Sequence, residues 1–164
     1  MKRIAALVLI AITSLSACNQ KSKATMPNSQ TEQRIAILRA AYGAFNRGDI
    51  DAAVRSLDPQ IDWSEPVEFP GGGSYHGREG AKQYLTNSRA SVAEVISEPE
   101  QFISAGDRIV VFVYARVRPK ESTAWQEVRL ADVYLFRCLT PIQMKAFADR
   151  QQALQWANSQ TSNP

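Results

Sequence analysis

The sequence predicts an α+β fold in which helices come first and a sheet follows. Apolar residues between Ile35 and Phe45 recur at steps of three and four, which is the spacing of one helix face. From about Val95 to Asp149 the chain instead carries long strand-like stretches separated by short turns. Helices gathered at one end of a chain and neighbouring antiparallel strands at the other are typical of the α+β class.

Two helices and a turn open the predicted folded part. The first helix is predicted to end at Gly48, which suits a left-handed cap position. Asp49 is predicted to cap the second helix because its carboxylate can accept hydrogen bonds from the unpaired amides of the first turn. Pro59 ends that helix, residues 61–63 are predicted as a short strand, and a third helix is predicted from Arg78.

The remainder is predicted as a meander of strands with a short terminal helix at residues 151–157. Turn residues at 105–107 and 121–123 separate the strands. The predicted strands are residues 95–103, 108–118, 124–137 and 142–149.

The first 17 residues have the pattern of a secretory signal peptide, with Lys2 and Arg3 ahead of an apolar core too short to span a bilayer. Residues 15–18, Leu-Ser-Ala-Cys, resemble the lipobox of bacterial lipoproteins, which implies cleavage before Cys18 and acylation of its thiol. Asn19 is not the aspartate that retains such proteins at the inner membrane. The resemblance therefore implies an outer-membrane lipoprotein that faces the periplasm, held by acyl chains at about 0.8 kcal/mol per buried methylene.

Residues 18–32 are polar and carry Pro27, so they are predicted to be a flexible tether. Residues 33–157 are predicted to form one domain, which is long enough for a hydrophobic core, and residues 158–164 a disordered tail. Loss of Lys2 and Arg3 leaves 17 basic and 16 acidic residues. This balance, without a run of basic residues, argues against nucleic-acid binding.

Cysteine and histidine are too few for a zinc-type site. With Cys18 acylated, Cys138 is the one remaining thiol, so no internal disulfide is predicted and Cys138 is interpreted as a small buried hydrophobe. His76 is the single histidine. The sequence shows no Ser-His-Asp arrangement, phosphate-binding glycine loop or dinucleotide fingerprint. We therefore predict no metal and no cofactor.

Four short segments carry a resemblance to a known family. They are residues 46–49 (Asn-Arg-Gly-Asp), 63–66 (Trp-Ser-Glu-Pro), 75–80 (Tyr-His-Gly-Arg-Glu-Gly) and 131–136 (Ala-Asp-Val-Tyr-Leu-Phe). Their order and spacing resemble the SnoaL-like branch of the NTF2-like superfamily. The resemblance implies a cone, in which a curved antiparallel sheet wraps around N-terminal helices and leaves a pocket in the wide mouth. Members include polyketide cyclases, ketosteroid isomerases, dehydratases and binding proteins, so the fold alone does not determine the function.

The resemblance suggests two catalytic carboxyl groups. Glu65 falls where a ketosteroid isomerase keeps its carboxylate base, and Asp132 where it keeps a protonated acid. Two carboxyls in different surroundings can act as base and acid at one pH. The isomerase's tyrosine on the first helix is matched by Ala41, and Tyr42 is turned about 100° from that position, which argues against steroid-type isomerisation. The alternatives are a solvated turn position for Glu65 and a structural pairing of Asp132 with an arginine or a backbone amide.

Other candidate site residues are mostly aromatic. His76, on a predicted loop near the mouth, is a candidate general acid–base, with packing at the rim as the alternative. About half of the aromatic candidates are expected to line the pocket and the others to fill the core. The predicted ligand-binding residues are Tyr42, Trp63, Tyr84, Phe112, Tyr114, Tyr134, Phe147 and Asp149.

Three functions follow from this interpretation. The first is a membrane-anchored module that binds a small, largely apolar molecule oriented by Glu65 and Asp132. The second is an isomerase, cyclase or dehydratase that uses these two residues as acid and base. The third is a non-catalytic interaction module, in which the open sheet face pairs two copies into a homodimer.

Overall fold

The computed structural model describes residues 27–159, and within that range the chain forms four helices and six strands. The helices are α1 Pro27–Asn46, α2 Ile50–Val54, α3 Gly77–Ala90 and α4 Arg150–Ser159. The strands are β1 Asp62–Glu65, β2 Gly73–His76, β3 Glu94–Ala105, β4 Arg108–Arg118, β5 Gln126–Arg137 and β6 Thr140–Phe147. No helix in this part of the chain is both long and apolar enough to cross a membrane.

The six strands form one curved sheet in the order β2-β1-β6-β5-β4-β3. Strands β3 to β6 pair antiparallel with their chain neighbours, as predicted. β1, however, pairs with β6 in parallel, so the sheet is mixed and not wholly antiparallel as predicted. A parallel pair needs a crossover connection, which α3 and the strands β3 to β5 supply.

Helices cover both faces of the sheet. Leu38 and Tyr42 of α1 share the main hydrophobic core with Val111 of β4, and this defines the inner face. Val110, the neighbour of Val111, points to the outer face, where it packs with Ala153 of α4. The two covers explain why β4 is apolar on both sides.

The boundaries of the fold differ from the prediction at both ends. α1 begins at Pro27, not near Gln33, so residues 27–32 of the predicted tether belong to a helix. Proline is well accommodated in the first turn of a helix, where its missing N–H needs no partner. The predicted signal peptide, Cys18 and the rest of the predicted tether lie outside the described residues, as do residues 160–164 of the predicted tail.

The interpretation of Cys138 as a lone buried thiol is wrong. Cys138 is disulfide-bonded, half-buried, and lies in the β5–β6 turn with a positive φ of 55°. The sequence holds two cysteines.

Arg34 is a buried arginine that ties α1 to the narrow end of the sheet. Its side chain is 4% exposed. Its Nε donates to the carbonyl oxygen of Cys138 over 2.8 Å, and a terminal nitrogen donates to Asp107 over 3.1 Å. The guanidinium lies 5.3 Å from the ring centroid of Phe136. These contacts fix where α1 begins to cross the inner face.

Substitution Arg34→Met is expected to lower the free energy of unfolding by about 2 kcal/mol, because it removes a buried charged donor and its carbonyl contact. Urea denaturation measures the change. Asp107→Asn is the matched control. The Asp107 carboxylate is 73% exposed, so its ion pair contributes less than about 1 kcal/mol. Equal losses in the two variants would contradict a structural role for the buried contacts.

Candidate ligand-binding site

A cavity of about 250 Å³ lies between the inner face of the sheet and the helices. Residues of α1, α2 and α3, of β1, β3, β4 and β5, and of the loop after β1 line it. Most of the wall is apolar. Representative apolar lining residues are Leu38, Phe45, Leu85, Val113, Val117 and Leu130.

Strand alternation decides which residues of the sheet face this cavity. Successive side chains of a strand point to opposite faces. On β4 the lining residues are therefore Val113, Ala115 and Val117, and on β5 they include Asp132 and Tyr134. β5 lies between β4 and β6, where Asp132 pairs with Val111 and Ala146. Asp132 is thus placed in the middle of the sheet, deep in the cavity.

The carboxylate of Asp132 is held by a chain of tyrosine hydroxyls. The Tyr42 hydroxyl of α1 donates a short hydrogen bond to Oδ2 of Asp132. Tyr134 is hydrogen-bonded to the Tyr42 hydroxyl. A phenol has one proton, and Tyr42 gives its proton to Asp132, so Tyr134 is the donor to Tyr42.

The carboxyl of Glu65 is held in the same way at the end of β1. Nε1 of Trp63 donates to Oε1 of Glu65 over 2.8 Å. The Tyr84 hydroxyl of α3 donates a second hydrogen bond to Glu65. Trp63 lies between two tyrosine rings, with centroid distances of 6.4 Å to Tyr84 and 6.3 Å to Tyr134. Glu65 is therefore part of an aromatic cluster and not a solvated turn residue.

Burial shifts the pKa of both acids upward. Burial, with a further contribution from the charge of Asp132, raises the pKa of Glu65 to about 8, while the hydrogen bonds from Trp63 and Tyr84 act in the opposite direction. Burial raises the pKa of Asp132 to about 6, and the Tyr42 hydrogen bond opposes this shift. At pH 7 the pair therefore shares one proton and titrates as a unit.

The ketosteroid isomerase resemblance implies a division of roles between these two acids, with Asp132 as the protonated acid and Glu65 as the ionised base. In this structure each acid accepts hydrogen bonds from protein donors: Tyr42 donates to Asp132, and Trp63 and Tyr84 donate to Glu65. Tyr42 also reaches Asp132 although the resemblance placed the tyrosine of that enzyme at Ala41, and both residues line the cavity. Tyr42 therefore belongs to the cavity and contacts one of the two acids directly.

The structure brings six of the predicted site residues together and separates the others. The residues that line the cavity are Tyr42, Trp63, Glu65, Tyr84, Asp132 and Tyr134. Phe112 and Tyr114 do not line it, because they alternate with the inward residues of β4 and face outward. There Arg150 lies over the Phe112 ring at 4.8 Å and Arg129 over the Tyr114 ring at 4.9 Å.

Phe147 and Asp149 support α4 and do not line the cavity. The Phe147 ring packs against Trp156 of α4, with the centroids 5.7 Å apart. Oδ1 of Asp149 accepts a hydrogen bond from the backbone N–H of Gln152 over 2.8 Å, which is the geometry of a helix N-cap. The placement of these two residues in the pocket is therefore wrong.

His76 also lies outside the cavity. The segment predicted as a loop near the mouth is the edge strand β2, which pairs with β1 through Trp63 and Tyr75. Tyr75 packs against Tyr84, and alternation turns His76 to the other side. Its ring nitrogens lie 3.0 Å from Asp62 and 3.1 Å from Oε1 of Gln60, at an exposed position.

Serines that were not predicted as site residues also line the cavity. They are Ser56, Ser88, Ser91 and Ser97. Ser97 is on β3, which β6, β5 and β4 separate from β1. Ser88 and Ser91 donate their hydroxyls to the carbonyls of Leu85 and Ser88, so they present little free polarity. The helical spacing of Tyr84, Ser88 and Ser91 is the sequence signal that connects them.

Between residues 27 and 159 no three histidine, cysteine or acidic side chains are placed to hold a metal ion. Among the described residues that line the cavity, none is lysine, arginine or histidine. Its acid–base groups are therefore the two carboxyls and the tyrosines around them.

Comparison with known proteins gives a family and a fold. The model of the SnoaL-like domain matches residues 38–138. No curated protein matches the chain at a significant level.

Solved structures with a similar fold include three of interest. TerC co-crystallised with polyporic acid has a TM-score of 0.65 and 22% identity, over 77% of this chain and 98% of that one. SalBIII, an epoxide hydrolase/cyclase-like enzyme of pyran ring formation in the polyether salinomycin, has a TM-score of 0.61 and 22% identity, over 74% and 95%. A ketosteroid isomerase-like protein from Catenulispora acidiphila, in complex with trimethylamine, has a TM-score of 0.62 and 16% identity, over 85% and 96%. At these identities the likeness shows the fold alone.

Proposed function

Because this chain belongs to the SnoaL-like domain family, we propose that its cavity binds a small, largely apolar molecule whose polar group is held by Glu65 and Asp132. The observation that carries this proposal is the combination of an apolar cavity of about 250 Å³ with two hydrogen-bonded acids at one end. Small-molecule sites are commonly concave and apolar, with a few convergent polar groups that fix orientation.

Two of the similar folds support a ligand role. TerC was crystallised with polyporic acid, and the Catenulispora acidiphila protein with trimethylamine. Both are small molecules, and both proteins share the cone architecture with this chain. The ligands of these relatives do not identify the ligand of this chain, because selectivity depends on the acid pair in its own cavity.

A library of small apolar molecules is expected to contain members that raise the melting temperature of the protein, since a ligand that binds the folded state alone stabilises it. Ala41→Trp fills the cavity from α1 and is expected to abolish this increase. Differential scanning fluorimetry measures both. A shift that survives Ala41→Trp would place the binding site elsewhere, and no shift with any member would remove the binding proposal.

An acid–base enzyme is the second candidate function, favoured by the shared proton. A group that is protonated at neutral pH beside one that is ionised suits proton transfer next to a carbonyl or activation of water. SalBIII, an epoxide hydrolase/cyclase-like enzyme, shows that the fold accommodates catalysis. We expect a bell-shaped rate profile with limbs near pH 6 and pH 8. Activity that persists in Glu65→Gln combined with Asp132→Asn would rule out this role.

We further propose that lipid on Cys18 anchors the domain to the outer membrane, facing the periplasm, on the strength of the signal and lipobox pattern. A diacylglyceryl thioether on Cys18 excludes a disulfide at that residue, because both use the same sulfur. The intact mass of the mature chain, before and after reduction, distinguishes them. If the measured mass equals that of the mature chain with an unmodified Cys18, the anchoring proposal fails.

A further inference from the structure

The tyrosine and tryptophan donors at the acidic end of the cavity are already used by the protein. Nε1 of Trp63 and the hydroxyl of Tyr84 donate to Glu65. The hydroxyl of Tyr42 donates to Asp132, and that of Tyr134 to Tyr42. What remains for a ligand is the acceptor capacity of two carboxyl groups, with about four lone-pair sites each when ionised, and the one O–H of the carboxyl that holds the shared proton.

The charge at this end has one sign. Tyr42 of α1, Tyr84 of α3 and Tyr134 of β5 face the acids as neutral phenols, since burial and the nearby carboxylates raise the pKa of each. No lysine, arginine or histidine among the described residues lines the cavity. The negative charge that the acid pair carries at neutral pH is therefore not compensated by a cation within it.

The charged groups behind β1 and β6 do not change this conclusion. Lys145 on β6 points to the outer face, where its Nζ lies 5.2 Å from the ring centroid of Trp156. Glu65 also lines a second depression at the surface, which Glu68, Asp149 and Lys145 border. They bring two carboxylates and one ammonium, which adds no net positive charge near Glu65.

Aromatic rings surround the acids. Trp63 and Tyr134 meet edge to face, at an interplanar angle of 78°, and Tyr84 is tilted by 42° relative to Trp63. Ring faces attract cations within about 6 Å, and such cages are used to recognise alkylated ammonium groups. An anionic ligand would meet both the carboxylate and the negative faces of the rings.

We propose that the ligand of this cavity, if the binding function above holds, is a small lipophilic amine whose ammonium group donates to Asp132 and Glu65 while its apolar part occupies the apolar wall. The ammonium supplies N–H donors for the free lone pairs of the carboxyl groups and the positive charge that the described lining of the acidic end lacks. Its charge also favours ionisation of Glu65, so binding releases up to one proton to solvent. Between about pH 6 and pH 8 the affinity rises with pH.

Three ligands of matched shape test this proposal: phenethylamine, phenethyl alcohol and phenylacetate. Calorimetry with the whole chain at pH 7.5 is expected to rank the amine at least about tenfold above the alcohol and at least about a hundredfold above the carboxylate. Titrations in two buffers of different ionisation enthalpy are expected to show proton release for the amine alone. In Glu65→Gln combined with Asp132→Asn the preference for the amine is expected to disappear.

The ranking in the wild-type protein decides the proposal without any variant. An alcohol or carboxylate that binds as tightly as the amine overturns it, and so does a preference for the amine that survives in the double variant. If none of the three binds but neutral members of the ligand library do, the amine proposal fails and the binding function stands. If the library also gives no ligand, the binding function itself fails.

Discussion

The free energy of unfolding of the wild-type protein is expected to fall by about 4 kcal/mol between pH 5 and pH 8, and Glu65→Gln is expected to remove most of this fall. Each unit by which the pKa of a group in the folded state differs from its pKa in the unfolded state changes the free energy of unfolding by up to about 1.36 kcal/mol. The folded pKa of Glu65, about 8, lies well above the value near 4.3 of an unfolded chain. This difference gives the pH dependence its size.

The sign follows from proton binding. Between these two pKa values the folded state holds the Glu65 proton and the unfolded state has lost it, so stability is greatest at low pH and decreases as the pH rises towards 8. Asp132 adds a smaller decrease that ends near its folded pKa of about 6. The amide of Glu65→Gln keeps an acceptor for Nε1 of Trp63 but cannot ionise. This variant therefore retains only the Asp132 contribution to the pH dependence of the free energy of unfolding.

Urea denaturation at unit steps of pH measures this dependence. Glu68→Gln is a matched control, since Glu68 is exposed in the loop that follows β1 and its substitution should leave the slope unchanged. A wild-type curve that is flat from pH 5 to pH 8, or one that rises, would show that Glu65 is not buried as the structure has it.

Tyr42→Phe is expected to lower the free energy of unfolding by about 3 kcal/mol at pH 8 and by about 1 kcal/mol at pH 5. At pH 8 Asp132 is ionised, and the variant removes the charged group's donor in a buried site. At pH 5 Asp132 is mostly protonated, so only a neutral hydrogen bond is lost. The variant is also expected to raise the pKa of Asp132 further, since the Tyr42 hydrogen bond holds it down.

Denaturation at the two pH values and carboxyl NMR titration of Asp132 measure these effects. Tyr134→Phe is the matched control, because it removes a hydroxyl from the same chain of hydrogen bonds but leaves the donor to Asp132 in place. Its loss should be smaller and depend less on pH. Equal losses at pH 5 and pH 8 for Tyr42→Phe would mean that Asp132 does not carry the charge.

Local patterns in the sequence determined most of the elements. Helical spacing around Leu38 predicted α1, and the turn with Gly48 followed by Asp49 predicted its end: Gly48 has a positive φ of 80°, and Asp49 caps α2 through the N–H of Ala52. Both depend on nearest neighbours along the chain, which a sequence records directly. β2 escaped prediction because it has four residues and follows a glycine-rich loop.

The sequence did not show which side chains of β4 point into the cavity. Phe112 and Val113 are both apolar, and each face of the strand has a helical cover, so hydrophobicity does not distinguish inward from outward. For the same reason Phe147, an apolar residue that packs against α4, was predicted to line the pocket. On β5 the inward position of Asp132 was predicted correctly, but this prediction depended on the family resemblance.

The sequence by itself therefore determined the α+β class and most helices and strands, because these follow from local periodicity and turn residues. The two acids were identified by the resemblance of short motifs to a known family. Only the tertiary structure decided that Tyr42 meets Asp132, 90 positions away in the chain, and that burial raises the pKa of both Glu65 and Asp132. The physical reason is that burial and hydrogen-bond partners set a pKa, and both arise only when distant segments pack together.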